Sequence, residues 1–169
     1  MNSILIALMS TFFLASGGPM TNHTQNGELK WTNFTEGLKE AKATNKKVLI
    51  DVYTDWCSWC KKMERDTYSD EQIKDYLNKN YVLVRLNAES NQQETIDTMH
   101  VTDAQLASAF GVRGYPTTIF LTSDGHPITE APGYMKPAEF INVIKYIAGD
   151  YYKKMKFADY LKSQGVSAN

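Results

Sequence analysis

The chain has 169 residues, 43% of them hydrophobic, enough for one globular domain with a sizeable core plus extensions. Its 18 Lys and Arg against 19 Asp and Glu leave a net charge of -1, and no long basic stripe occurs. Both facts argue against an electrostatic nucleic-acid binder.

The first twenty residues contain no Asp, Glu, Lys or Arg, and Ile4 to Leu14 is apolar before the small residues Ala15-Ser16-Gly17-Gly18. Residues 1–18 therefore read as a secretory signal peptide, with an uncleaved anchor through residues 4–15 as the alternative. A spanning helix would need about 20 apolar residues, more than this stretch offers. The absence of Cys between Leu14 and Pro19 excludes a bacterial lipoprotein cleavage site. The expected localisation is periplasmic or otherwise secreted, and residues 19–32 read as a polar linker.

Helices and strands then alternate. Asn33 with Glu36 resembles a capping box opening a helix to Ala43, and Val48 to Thr54 is an apolar strand. A helix is expected from Cys57 to Asp66, and a second, capped by Ser69 with Gln72, ending near Leu77. Tyr81 to Leu86 is the next strand. Glu89 to His100 is polar and unpatterned, as expected of a surface excursion, before Thr102 with Gln105 caps a helix to Phe110. Thr117 to Leu121 and Ile128 to Ala131 flank Asp124-Gly125 as a hairpin. Pro137 opens a helix with Phe140, Val143, Ile144 and Ile147 on its apolar side. Gly149 interrupts it, and Tyr151 to Leu161 is expected to be a further amphipathic helix in a C-terminal extension, residues 149–169.

The two cysteines of the chain, Cys57 and Cys60, fall where the first long strand hands over to a helix. At a helix start, the Cys57 sulfur faces unpaired backbone N–H groups and the positive end of the helix dipole, which favour thiolate over thiol. Cys60 is three residues on, on the same helical face and within disulfide reach. A thiolate attacks in disulfide exchange, and a second thiol nearby can resolve the mixed disulfide. Half of a zinc site and a purely structural bridge are the other readings. Tetrahedral zinc wants four ligands, whereas His23, His100 and His126 form no paired ligand motif. A bridge closing so short a loop constrains the unfolded chain little. Redox chemistry is the leading reading, with no cofactor other than a Cys57–Cys60 disulfide and no metal.

The element order and several separated motifs resemble the thioredoxin family over residues 33–148. Trp56-Cys57-Ser58-Trp59-Cys60-Lys61 matches that family's Trp-Cys-x-x-Cys-Lys. Asp51, six residues before Cys57, falls at its buried-carboxylate position. Arg85 falls where many members carry Lys, and Gly111-Val112-Arg113-Gly114-Tyr115-Pro116-Thr117 matches the segment with the cis-proline loop. Asp51 to Cys57, followed by Glu64, Thr67, Ser69 and Asp70, is most similar to the periplasmic C-terminal domain of the transmembrane reductase DsbD and secreted relatives. Ser58-Trp59 replaces the Gly-Pro of cytosolic members, and no His lies between the cysteines.

The resemblance implies an α/β thioredoxin fold, a central mixed β-sheet flanked by helices, here with an extra C-terminal helix. It also implies residue roles. Cys57, exposed at the helix end, is the nucleophile, and the deeper Cys60 resolves. Asp51, its pKa raised by burial, is the general base for Cys60. A cis bond before Pro116 would leave the Tyr115 backbone free to pair with an extended substrate, with Trp56 and Trp59 supplying apolar contact. The function so implied is a secreted reductase of protein disulfides, working as a monomer on oxidised protein substrates and recharged by a membrane thiol electron conductor of the DsbD type. A disulfide oxidase or isomerase is the second reading, and a redox-silent peptide-binding or chaperone module the third.

Overall fold

In the computed structural model, residues 27–166 are described. The expected signal peptide lies outside them, as do the start of the linker and the last residues of the extension. The elements are β1 (Trp31–Thr32), α1 (Phe34–Thr44), β2 (Lys47–Tyr53), α2 (Ser58–Met63), a π-helical turn (Glu64–Tyr68) and α3 (Glu71–Asn80). They continue with β3 (Tyr81–Asn87), β4 (Gln93–Ile96), β5 (Met99–Thr102), α4 (Asp103–Ala109), β6 (Thr117–Leu121) and β7 (Pro127–Pro132). α5 (Pro137–Ala148), a 3-10 turn (Tyr151–Lys153) and α6 (Phe157–Ser163) complete the described chain.

The main sheet is five-stranded and mixed, ordered β1-β3-β2-β6-β7. β1, β3 and β2 run parallel, whereas β6 pairs antiparallel with β2, and β7 with β6. The pleat of β2 divides its side chains between two cores. Val48, Ile50 and Val52 pack with Phe34 and Ala41 of α1 and Leu106 of α4. Leu49 packs on the other face with Met63, Ile73, Leu77, Phe140 and Ile144, from α2, α3 and α5. A strand buried on both faces needs a near-continuous apolar run, which is how β2 was legible. Asp51 interrupts that run on the α2, α3 and α5 side, at 2% exposure.

α1 sits tightly on β3 because Gly37 lacks a side chain: a Cβ there would meet Val84 Cγ2 at 2.3 Å. The helix opens as expected, Asn33 Oδ1 accepting from Glu36 N at 2.8 Å. The cap of α3 differs from expectation. Asp70, not Ser69, accepts from Ile73 N at 3.0 Å. Ser69 is drawn back, its hydroxyl donating to the Arg65 carbonyl at the end of the π turn. That turn also replaces the expected end of the first site helix, since α-helical geometry stops at Met63.

The excursion expected after β3 is folded. β4 and β5 form a separate antiparallel hairpin. Glu94 anchors it: buried to 1% exposure, it accepts from Thr35 N at 2.7 Å, from the Thr35 hydroxyl, and from Gln92 Nε2 at 2.9 Å. Polar pairing holds this segment together with only two apolar side chains on the core, Ile96 and Val101, too few to make a pattern in the sequence.

The C-terminal helix is present but shorter than expected, the 3-10 turn and a break preceding α6. Tyr160 is 2% exposed and its ring lies 5.3 Å from that of Tyr146, while Phe157 meets Tyr146 at 5.1 Å. Lys47 fastens the preceding turn through an ion pair with Asp150 at 3.1 Å. No helix among the described residues is long and apolar enough to cross a membrane.

Candidate active site

β2 ends at Tyr53, and the chain reaches α2 through Thr54, Asp55 and Trp56. Cys57 is the N-cap of α2. Its backbone is extended and its sulfur accepts from the Cys60 N–H at 3.0 Å. The helix start thus directs a donor and its dipole at Cys57 Sγ, as the sequence position requires. Cys57 and Cys60 are joined by a disulfide, with their Cα atoms 5.3 Å apart. Accessibility does not separate the two: Cys57 is 4% exposed and Cys60 6%. The expected difference in exposure is therefore absent, and the distinction between them rests on the N-cap position of Cys57.

Asp51 lies on β2, opposite Arg85 on β3 and Thr118 on β6. Arg85 Nε approaches Asp51 Oδ2 at 3.4 Å, and Arg85 Nη1 donates to Glu64 Oε1 at 3.1 Å. The guanidinium is stacked between the rings of Tyr53, at 4.8 Å, and Trp31, at 5.5 Å. Tyr68, turned inward by the π turn, donates its hydroxyl to Asp51 Oδ1 at 3.4 Å. Burial raises the Asp51 pKa from 3.8 to about 6, against the opposing pull of Arg85 and Tyr68. Burial also pushes the Tyr68 hydroxyl up, so it stays a donor.

Between Cys60 and the Arg85–Glu64 pair lies a cavity of about 180 Å³, lined also by Tyr53, Thr54, Asp55 and Lys61. The buried Thr54 hydroxyl on its wall has no hydrogen-bond partner. Cys60 lines this cavity together with Arg85, whose Nε faces the Asp51 carboxylate.

The remaining expected residues are the two tryptophans that precede Cys57 and Cys60 in the chain and the Tyr115–Pro116 loop. The Tyr115–Pro116 bond is cis. Trp56 and Trp59 are 66% and 56% exposed, so neither is packed away as a core residue. Trp56 meets Tyr115 edge-on at 6.0 Å, and Trp59 meets Tyr134 at 5.5 Å. Four neighbours escaped the sequence reading of the site. Tyr68 and Glu64 become visible only through the π turn. Glu89 and Tyr134 lie on loops distant in sequence, and no periodicity or spacing marks either. No cluster among the described residues has the composition of a metal site.

An N-capping Cys-x-x-Cys disulfide, at the end of a central strand of a mixed sheet that carries a buried carboxyl, defines a thiol-disulfide oxidoreductase. Residues 34–148 match the thioredoxin-like domain family, and the chain belongs to it. It is 32% identical over 145 residues to the thiol:disulfide interchange protein DsbD of Vibrio cholerae serotype O1, covering 76% of this chain and 23% of that protein. The DsbD of Yersinia pestis (strain Pestoides F) is 37% identical over 128 residues, covering 70% of this chain and 20% of that protein. The chain thus spans about a fifth to a quarter of those relatives' length. A thioredoxin-fold protein from Helicobacter pylori superposes with a TM-score of 0.66 at 19% identity, covering 78% of this chain and 96% of that one. The fold is the thioredoxin fold, with the added C-terminal helix.

Proposed function

We propose that this protein is a secreted or periplasmic reductase of protein disulfides. The observation that carries the chemistry is Cys57 Sγ held at the start of α2 and bonded to Cys60, with Asp51, its pKa about 6, buried on the strand that leads to them. In the reduced state the Cys57 thiolate attacks one sulfur of a partner disulfide. A Cys57–partner bond forms, and the partner's other sulfur leaves as thiolate. Cys60 then passes its proton toward Asp51 and attacks Cys57 Sγ. The Cys57–Cys60 bond closes, the partner's second sulfur leaves, and two electrons have moved to the partner. A carboxyl titrating near neutrality suits a base that takes a thiol proton and returns it later.

The partner segment engages Trp56, Trp59 and the Tyr115–Pro116 loop, and the oxidised pair is recharged by a membrane thiol electron conductor of the DsbD type. The reductive direction is supported by the DsbD relatives and by the lack of a His between the cysteines, since an imidazolium would stabilise the Cys57 thiolate and favour oxidant behaviour. Equilibration with glutathione buffers tests it. The expected potential is about -220 to -280 mV, and one more positive than about -170 mV would favour the oxidase or isomerase.

A further inference from the structure

The C-terminal extension lies at the opposite end of the sheet from the cysteines. Lys47 opens β2, and its Nζ bonds the Ala148 carbonyl at 3.4 Å and pairs with Asp150 at 3.1 Å, whereas Cys57 follows the end of that strand. Seven residues of strand separate the two ends by about 20 Å. The close of α3 is at the extension's end too, since Lys47 stands opposite Tyr81, the residue after Asn80. The described chain also enters there, Asn78 Nδ2 donating to the Gly27 carbonyl at 3.3 Å.

This end is both basic and partly apolar. Residues 145–169 carry five lysines, two aspartates and no glutamate or arginine, in a chain whose net charge is -1. Asp150 is shared between Lys47 and Lys153, at 3.1 and 3.0 Å. Lys154, Lys156 and Lys162 are exposed and form no ion pair among the described residues, and Asp159 is the one exposed carboxylate of the extension. Of the six large apolar side chains exposed among the described residues, Tyr151, Met155 and Val166 belong to this segment. Tyr151 is held against Tyr160 with ring centroids 4.8 Å apart, so the surface has a fixed backing.

We infer that this end of the molecule docks on an anionic lipid surface, with Lys153, Lys154, Lys156 and Lys162 toward the headgroups and Tyr151 and Met155 at the interface. Lysines draw a folded body to a charged bilayer, and tyrosine, an apolar ring with a polar tip, settles at headgroup level. An acidic protein suits the surface less well. Lysine is a hydrated point charge, and the guanidinium fork that pairs with carboxylates is missing from the extension. Docked in this way, the start of α2 and its cysteines stand at the far end of the domain from the lipid, open to partners. The inference is independent of the direction of electron flow.

Flotation of the full chain with vesicles of phosphatidylcholine alone, or mixed with phosphatidylglycerol, tests it. The ratio of the two partition coefficients cancels any contribution of the apolar stretch Ile4 to Leu14, which does not depend on lipid charge. Three unpaired lysines, at about fivefold each, should favour the anionic vesicles by about a hundredfold at low salt, and the preference should shrink as salt rises. Replacing all three, Lys154→Gln with Lys156→Gln and Lys162→Gln, should bring the ratio toward one, while insulin reduction in solution stays that of the wild type. Each single replacement should lower the ratio about fivefold, so the result does not hang on the triple variant. A wild-type ratio near one, or a ratio retained by the variants, would overturn lipid docking at this end. So would indifference to anionic vesicles combined with retention of the wild type, but not the triple variant, on immobilised polyglutamate, which would assign the surface to an acidic protein.

Discussion

Arg85 on β3 stands directly across from Asp51 on β2, its Nε 3.4 Å from the Asp51 carboxylate and its Nη1 on Glu64. One guanidinium thus serves two carboxylates, one buried and one at the surface. Burial pushes the Asp51 carboxyl up, and Arg85 is the strongest influence drawing it back. The balance leaves it titrating at about 6, where a carboxyl can take up and release a proton near neutrality.

Replacing Asp51 with Asn keeps the shape and removes the proton acceptor. Resolution of the mixed disulfide should slow by roughly ten- to a thousand-fold near neutral pH, as read by quenched-flow accumulation of the mixed disulfide. Stability should move the other way. The folded-state pKa is raised from 3.8 to about 6, so the wild type is favoured most below the unfolded value and loses that advantage as pH rises through the folded one. The gain from Asp51→Asn should reach at most about 3 kcal/mol above pH 7 and vanish near pH 4. A resolution rate unchanged between pH 6 and 8 would make Asp51 structural.

Arg85→Met retains an unbranched apolar chain between Tyr53 and Trp31 and deletes the charge. Without that cation the Asp51 carboxyl should titrate above its present value of about 6. Carbon-detected NMR titration of Asp51 reads this directly. A midpoint that stays put or falls would mean that Arg85 does not control this group.

Glu94 and Asp103 pin the β4–β5 hairpin, and Asp103 carries a comparable pH signature. Asp103 is raised from 3.8 to about 6 by burial and by the neighbouring Glu94, against the pull of the Ser90 hydroxyl. Its contribution to stability is full below the unfolded value and is lost as pH rises through about 6. The melting-temperature advantage of Asp103→Asn over wild type should therefore grow from pH 4 to pH 8. A constant or shrinking difference would contradict it.

How much of this was legible in the sequence depended on what holds each part. β2 and β3 carry long apolar runs because they are buried on both faces, so their positions and the Asp51 interruption could be read directly. Cys57 at the helix start was equally plain, since N-cap position follows from the strand's end. Capping was read well where the side chain is unambiguous, as at Asn33 and Thr102, and missed where Ser69 and Asp70 compete. The π turn left no signal: it depends on Thr67 bonding the distant Met135 carbonyl and on Tyr68 reaching Asp51. The hairpin was invisible because a buried carboxylate fixes it and only Ile96 and Val101 reach the core, too few for a visible alternation. Glu89 and Tyr134 reach the site only through tertiary contacts, and no local pattern encodes those.

The central claim, that Cys57 attacks and Cys60 resolves, is tested most directly by trapping. Cys60→Ser and Cys57→Ser proteins would be incubated with an oxidised substrate such as insulin, quenched with acid and separated without reductant. Cys60→Ser should accumulate a mixed disulfide through Cys57, whereas Cys57→Ser should form little and lose insulin-reducing activity. Equal trapping by the two variants would contradict the assignment.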